Sequence, residues 1–198
     1  MLLSFSVDKE AIRIYKTNSA QSTMKILGTS TLHDWEMKAD DLQGTVDAEM
    51  ASESINIKEL KLTVPVEALK SGKGPMDANA YKALKKDKHP KIFYELISVS
   101  EQKKVTMGHF KMQSRGKLTV AGKSRILNVP IDVKQKGHGL EISGVTSFNM
   151  SSFDVEAPSF MMGAVTTGDK IKIQFSIKSS LNAYYIYNQM NLVLIVRI

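Results

Sequence analysis

The sequence predicts an all-β fold carrying one short helix. Apolar and polar residues alternate in many separate runs, the mark of strands with one buried face. Turn-forming clusters punctuate those runs at Asp40-Asp41, Ala121-Gly122-Lys123, Lys136-Gly137-His138-Gly139 and Thr167-Gly168-Asp169. Only Met76–Lys86 switches to helical spacing. Many antiparallel strands joined by short turns make a sandwich or an up-and-down barrel.

The elements follow in order. Ile12 and Ile14, with Thr17, open the alternation, and Thr23–Thr29 and Leu32–Met37 continue it. Val46, Ala48 and Met50 mark a further short strand. Leu60, Leu62, Val64 and Val66 then share one face, with Lys61 and Thr63 on the other, until Gly72, Gly74 and Pro75 break the pattern. In the helical stretch Met76, Ala80, Tyr81 and Leu84 fall on one side. Asp77 reads as its N-cap, Lys85, Lys86 and Lys88 suit its negative end, and His89-Pro90 reads as its stop. One helix among strands reads as a lid or a plug.

Strand-type sequence resumes at Ile92–Val99, Phe110–Val120 and Ile126–Val133, where Leu127, Val129, Ile131 and Val133 share a face. Leu140, Ile142, Gly144, Thr146, Phe148 and Met150 form the next stripe. Ile171, Ile173, Phe175 and Ile177 form the most regular one, with Lys170, Lys172, Gln174, Ser176 and Lys178 opposite. The total is eight or nine strands, according to how residues 22–37 divide.

With 198 residues, 42% apolar and 24% charged, the chain fits one domain with a sizeable core. No run approaches the roughly 18 apolar residues of a membrane-spanning helix. Met1–Asp8 show neither a basic stretch nor an apolar one long enough to read as a signal peptide. Zero cysteines exclude disulfides, thiol nucleophiles and Cys-based zinc sites. A net charge of +7 makes nucleic acid or an anionic membrane worth weighing. Yet the only arginines are Arg13, Arg115, Arg125 and Arg197, and no aromatic stacking platform accompanies the lysines. The lysines at alternate strand positions read as a solvated outer face that also blunts strand edges. Nucleic-acid binding is not expected.

After Leu181, Tyr184, Tyr185 and Tyr187 precede the apolar run Leu192–Val196, with Asn188, Gln189 and Asn191 interrupting. This tail reads as an extra edge strand, or as a surface for strand exchange or a homodimer contact.

Candidate chemistry is sparse. His33, His89, His109 and His138 lie far apart without ligand spacing, so no metal site is read from them. On an extended strand His33 and Trp35, the only tryptophan, share a face while Asp34 points away, so adjacency makes no His–Asp pair. No serine sits in a Gly-x-Ser-x-Gly context. Asp154 and Glu156 lie close together but on a loop, without the shaped cleft that acid–base work needs. No enzyme and no cofactor is expected. Met150, Met161 and Met162 cluster with Phe148, Phe153 and Phe160; methionine lines sites for irregular apolar ligands, and core packing explains the strand-borne members equally well. Phe160-Met161-Met162-Gly163 falls in a connection, where large apolar residues need cover.

Several segments, in order and spacing, resemble the YceI-like family of polyisoprenoid-binding proteins. They are Gly28-Thr29-Ser30-Thr31-Leu32-His33-Asp34-Trp35, then Val64–Gly72, then Met76–Leu84 followed by His89-Pro90-Lys91-Ile92. Gly116–Gly122, Phe153–Pro158, and Gly163 with Thr167–Ile173 complete the match. The resemblance implies an eight-stranded antiparallel lipocalin-like barrel, with the helix in a long insertion between strands, enclosing an elongated apolar cavity. It spans a barrel domain at residues 15–178, flanked by 1–14 and by a C-terminal extension at 179–198 without a counterpart.

It further implies a bacterial, exported, periplasmic protein that binds, stores or transports an isoprenoid quinone or polyprenyl chain. The expected lining on the strands is Trp35, Leu62, Val64, Phe148, Met150, Ile173 and Phe175, with Phe153 and Met161 from the late connection. Met76, Tyr81 and Leu84 are expected to face inward from the helix, and His33 to make a polar headgroup contact near the mouth. The competing expectation is a fully packed barrel that assembles subunits through its C-terminal tail.

Overall fold

The alternating segments pair in the order in which they occur along the chain. The structure, a computed structural model, describes residues 13–51, 53–160 and 164–182. The strands are β1 (Arg13–Thr17), β2 (Thr23–Ser30), β3 (Trp35–Ala39), β4 (Gln43–Met50), β5 (Ile55–Pro65) and β6 (Leu69–Lys70). After the helix α1 (Gly74–Ala83) come β7 (Lys91–Thr106), β8 (His109–Val120), β9 (Lys123–Lys136), β10 (Gly139–Asn149), β11 (Ser159–Phe160) and β12 (Val165–Leu181). The path β1-β4-β5-β7-β8-β9-β10-β12 closes because β12 pairs back onto β1, with Tyr15 opposite Leu181. The result is an eight-stranded antiparallel barrel with one α-helix among the described residues. Closure removes the open edges that would invite pairing with other chains.

The first three barrel strands are each bent in the middle. β1 and β2 are halves of one strand, as are β3 with β4 and β5 with β6: β2 pairs with β3 and β3 with β6, while β1 pairs with β4 and β4 with β5. Side chains replace ladder bonds at these corners. The Ser22 backbone donates to the Asn18 carbonyl at 3.0 Å, and Ser22 Oγ accepts from the Lys178 backbone at 3.0 Å. Ser19 Oγ accepts from the Leu42 backbone at 2.8 Å. Asp40-Asp41 is thus a corner within a strand rather than a turn between two.

The helix differs from its expected limits. It begins at Gly74, with Pro75 in the first turn where its missing N–H costs nothing, and ends at Ala83. Asp77 is not the N-cap; Lys73 holds that position without a side-chain bond, and Asp77 Oδ1 accepts from Ser71 N at 2.7 Å and Ser71 Oγ at 2.6 Å. Lys85, at φ 55°, stops the helix before His89-Pro90 is reached.

One end of the barrel is solid. Tyr15, Phe110, Met112, Val133, Leu140 and Ile142 form a buried cluster there. Toward the helix-bearing end the inward stripes carry smaller residues, Ser114 and Gly116 on β8 and Gly144 and Thr146 on β10. Less side-chain volume inside an eight-stranded wall leaves space.

Candidate functional site

That space is a cavity of about 540 Å³, within the range of small-molecule pockets. Its wall is overwhelmingly apolar, and among the described residues no Asp or Glu lines it. Period-2 strand geometry accounts for the lining. Leu62 and Val64 from β5, Phe148 from β10, and Ile173 and Phe175 from β12 all face in, with Lys170, Lys172 and Lys178 exposed opposite. Met150 and Phe153 close the wall from the 3-10 turn after β10, where the rings of Phe148 and Phe153 meet edge to face at 5.1 Å. Trp35 covers one corner, its indole lying on Gly28 and its Nε1 donating to the Thr29 carbonyl at 3.0 Å.

Met76 from α1 and Leu84, the C-cap just after it, line the cavity, joined by Ala80 and Ala83. Tyr81 does not. Its hydroxyl lies within hydrogen-bonding reach of the Glu67 carbonyl at 3.0 Å and the Leu69 carbonyl at 2.9 Å, and accepts from Lys70 Nζ at 2.9 Å. A phenol has a polar tip that needs partners, and the carbonyls of Glu67 and Leu69 supply them outside the cavity. Tyr81 therefore ties the helix to the barrel wall instead of facing the interior. Met161, and the Met162 beside it, lie outside the described residues.

The rim is exposed and mixes polar with apolar side chains. His33, Leu32, Lys73 and Pro75 line it and are exposed. His33 lies in the loop before β3, because Ser30 Oγ donates to its carbonyl at 2.7 Å and accepts from its N–H at 3.1 Å, closing the loop. Its Nδ1 donates to the carbonyl of Asp34 at 2.8 Å, not to the carboxylate, which leaves Nε2 as the acceptor of the neutral ring. Asn79 adds an amide from the helix.

Two lining residues that sequence reasoning did not single out stand deeper. Tyr94 on β7 falls in the inward stripe with Ile92 and Leu96, and its hydroxyl donates to Ser114 Oγ at 3.3 Å. Ser114 Oγ in turn donates to the Val129 carbonyl at 2.9 Å, and Ser114 is 2% exposed. Burial pushes the Tyr94 phenol above its ordinary pKa, with the Ser114 bond opposing. A polar-tipped aromatic inside a period-2 apolar stripe was the available signal.

The carboxylates are spent elsewhere. Asp154 pairs with Lys123 Nζ at 2.7 Å, and Glu156 is exposed. Asp169 accepts from Ser151 N at 2.8 Å and Ser151 Oγ at 2.6 Å. His109 meets Asp132 at 2.6 Å. No group of three or more metal-ligating side chains occurs among the described residues.

A family model, the YceI-like domain, matches residues 15–179. The chain belongs to the YceI-like family. Solved structures share the fold. BcnA from Burkholderia cenocepacia is 17% identical with a TM-score of 0.66, covering 82% of this chain and 98% of its own. A polyisoprenoid-binding domain from Saccharophagus degradans, implicated in plant cell wall breakdown, is 10% identical at a TM-score of 0.64, with 85% and 98% covered. A YceI protein from Campylobacter jejuni is 16% identical at 0.57, with 72% and 81% covered. No curated protein matches. At these identities the solved structures show the fold alone. No helix among the described residues is long and apolar enough to cross a membrane.

Proposed function

We propose that the protein is a non-enzymatic carrier or store for one isoprenoid lipid, an isoprenoid quinone or a polyprenyl chain, held in the barrel cavity. The observation that carries this is the apolar cavity of about 540 Å³, packed shut at one end and lined at the other by the helix. Membership of the YceI-like family, and the polyisoprenoid-binding domain among the structural neighbours, support the choice of ligand class. Trp35, Leu62, Val64, Phe148, Ile173 and Phe175 would hold the chain, with Met76, Leu84, Met150 and Phe153 nearest the lid. His33 offers a polar contact to whatever part of the ligand lies at the rim.

Burying one five-carbon isoprene unit contributes up to about 4 kcal/mol gross, at about 0.8 per CH₂. Loss of ligand motion offsets much of it, so several buried units set the affinity. The fully packed alternative needs a barrel filled by its own side chains, and the unfilled upper half argues against it. The proposed tail contact falls on residues outside those described. Export to a periplasm is part of the proposal, checked by fractionating cells that express the native gene.

Native mass spectrometry before and after organic extraction tests the carrier reading. The expected result is a bound mass that extraction removes and an added isoprenoid quinone restores. Absence of both overturns it.

A further inference from the structure

The cavity wall is mostly apolar, and among the described residues one pair of polar groups in it is hydrogen-bonded together beside the packed end. The pair is Tyr94 and Ser114. Tyr94 stands opposite Leu118 in the ladder, yet its ring leans away from the helix end to lie over Gly116, and its hydroxyl reaches Ser114, two inward positions beyond Leu118. A side chain at residue 116 would occupy the place of the ring, so the glycine is what lets the phenol point down the barrel. Ser114 adjoins the packed end: Met112 and Val129 beside it belong to the buried cluster. Among the described residues it is the one fully buried polar side chain in the lining.

The two hydroxyl protons are not equally committed. Ser114 gives its own to the Val129 carbonyl at 2.9 Å. Tyr94 gives its own to Ser114 at 3.3 Å, beyond the roughly 2.5–3.0 Å usual for O–H···O bonds. A better-placed oxygen in the cavity would capture the Tyr94 proton and leave Ser114 satisfied. Burial keeps that phenol protonated, hence a donor. At the rim, by contrast, His33 is exposed and water serves it whether or not a ligand is bound. A buried hydrogen bond discriminates between ligands more strongly than a solvated one.

We propose that Tyr94, supported by Ser114, is an oxygen-binding point at the cavity floor, so that the ligand lies with a hydrogen-bond-accepting end innermost and its hydrocarbon toward the mouth. The class of ligand is a chain lipid whose inner end carries a carbonyl, as in a quinone ring, or a hydroxyl, as in a prenol. This rests on the carrier reading and adds an orientation and a chemical selectivity to it.

The test uses three probes on delipidated full-length protein: farnesol, a benzoquinone bearing two isoprene units, and the hydrocarbon farnesene. Binding is read from the emission of Trp35, the only tryptophan, which lines the cavity. The expected result is that Tyr94→Phe weakens one or both oxygenated probes by roughly three- to tenfold and leaves farnesene unchanged. Which of the two responds tells quinone from prenol. His33→Ala, which alters the rim that every probe meets alike, is expected to shift the three affinities together and so leave the preference intact. A second readout needs no variant: the quinone carbonyl stretch should move to lower wavenumber on binding wild-type protein. If the probes bind but Tyr94→Phe leaves the preference unchanged and the stretch does not move, or if His33→Ala abolishes the preference, the floor assignment is overturned and the carrier reading stands. If none of the three binds, both fall.

Discussion

Trp35 and Gly28 are direct partners in the β2–β3 ladder, and the indole lies where a side chain on Gly28 would be. The glycine lets the largest side chain of the chain fold flat against the wall, where it lines the cavity beside the His33 loop. Gly28→Val should lift the indole off the wall. Overpacking of this kind costs about 1–3 kcal/mol. Denaturant unfolding measures the loss, and a red shift of tryptophan emission reports the displaced ring. A variant with unchanged stability and emission would show that the wall yields instead.

The Tyr81 hydroxyl joins α1 to the carbonyls of Glu67 and Leu69, and Lys70 and Lys86 sit over its ring at 5.4 and 5.3 Å. Tyr81→Phe keeps the ring and removes the tie. We expect a cost of about 1–2 kcal/mol, confined to the helix. Hydrogen exchange should accelerate for amides of α1 and stay unchanged in β8 and β9. Uniform acceleration would mean that the helix is part of the global unfolding unit, not a separable lid.

Much of the fold is legible in the sequence, and the exceptions have physical causes. The stripes Leu127–Val133 and Ile171–Ile177 show their inward faces because one side is apolar at every second position, and Leu140–Met150 does so with only Gly144 and Thr146 interrupting. The strand predicted from Leu32 starts only at Trp35, because Ser30 Oγ captures the N–H groups of Leu32 and His33. The corners at Ser19–Gln21 and Asp40 look like turns, since what keeps the chain running in the same strand is a bond to a residue far away in sequence. Tyr81 shares a helical face with Met76 and Leu84, but spacing cannot say that carbonyls wait for its hydroxyl outside the cavity. Nor does alternation say which inward positions leave a void. That depends on the summed volume of eight strands, and so the pair Tyr94–Ser114 escapes a reading made one strand at a time.

Two carboxylates, Asp154 after β10 and Asp169 within β12, make stability depend on acid pH. Asp169 is a strand position, although Thr167-Gly168-Asp169 reads as a turn in the sequence. The bond from Lys123 holds Asp154 below its ordinary pKa of 3.8, and the bonds from Ser151 hold Asp169 below it too. A group whose folded pKa is depressed contributes stability above its unfolded pKa and loses it as pH falls through the folded value. Both contributions should therefore be intact at neutral pH and fade below about pH 4. Melting temperature followed from neutral to acid pH is expected to be lower for Asp154→Asn and Asp169→Asn at pH 7, and to converge with wild type in acid. Curves that stay parallel throughout would assign the loss to packing instead of charge.

The two halves of the barrel should answer oppositely to changes in side-chain volume. Phe110 is fully buried in the packed end, so Phe110→Ala opens a hole among fixed neighbours, at about 3–5 kcal/mol. Thr146 and Leu118 face the cavity, where added carbon meets empty space and not atoms. Thr146→Phe with Leu118→Phe should leave stability unchanged or raise it by up to about 1 kcal/mol, while reducing the lipid that co-purifies. Denaturant unfolding and native mass spectrometry on the same preparations separate the effects. If the doubly filled variant is destabilised as strongly as Phe110→Ala, the upper half is packed in solution and has no room for a ligand. If it is stable and still carries full lipid, the chain lies along a different wall, away from β8 and β10.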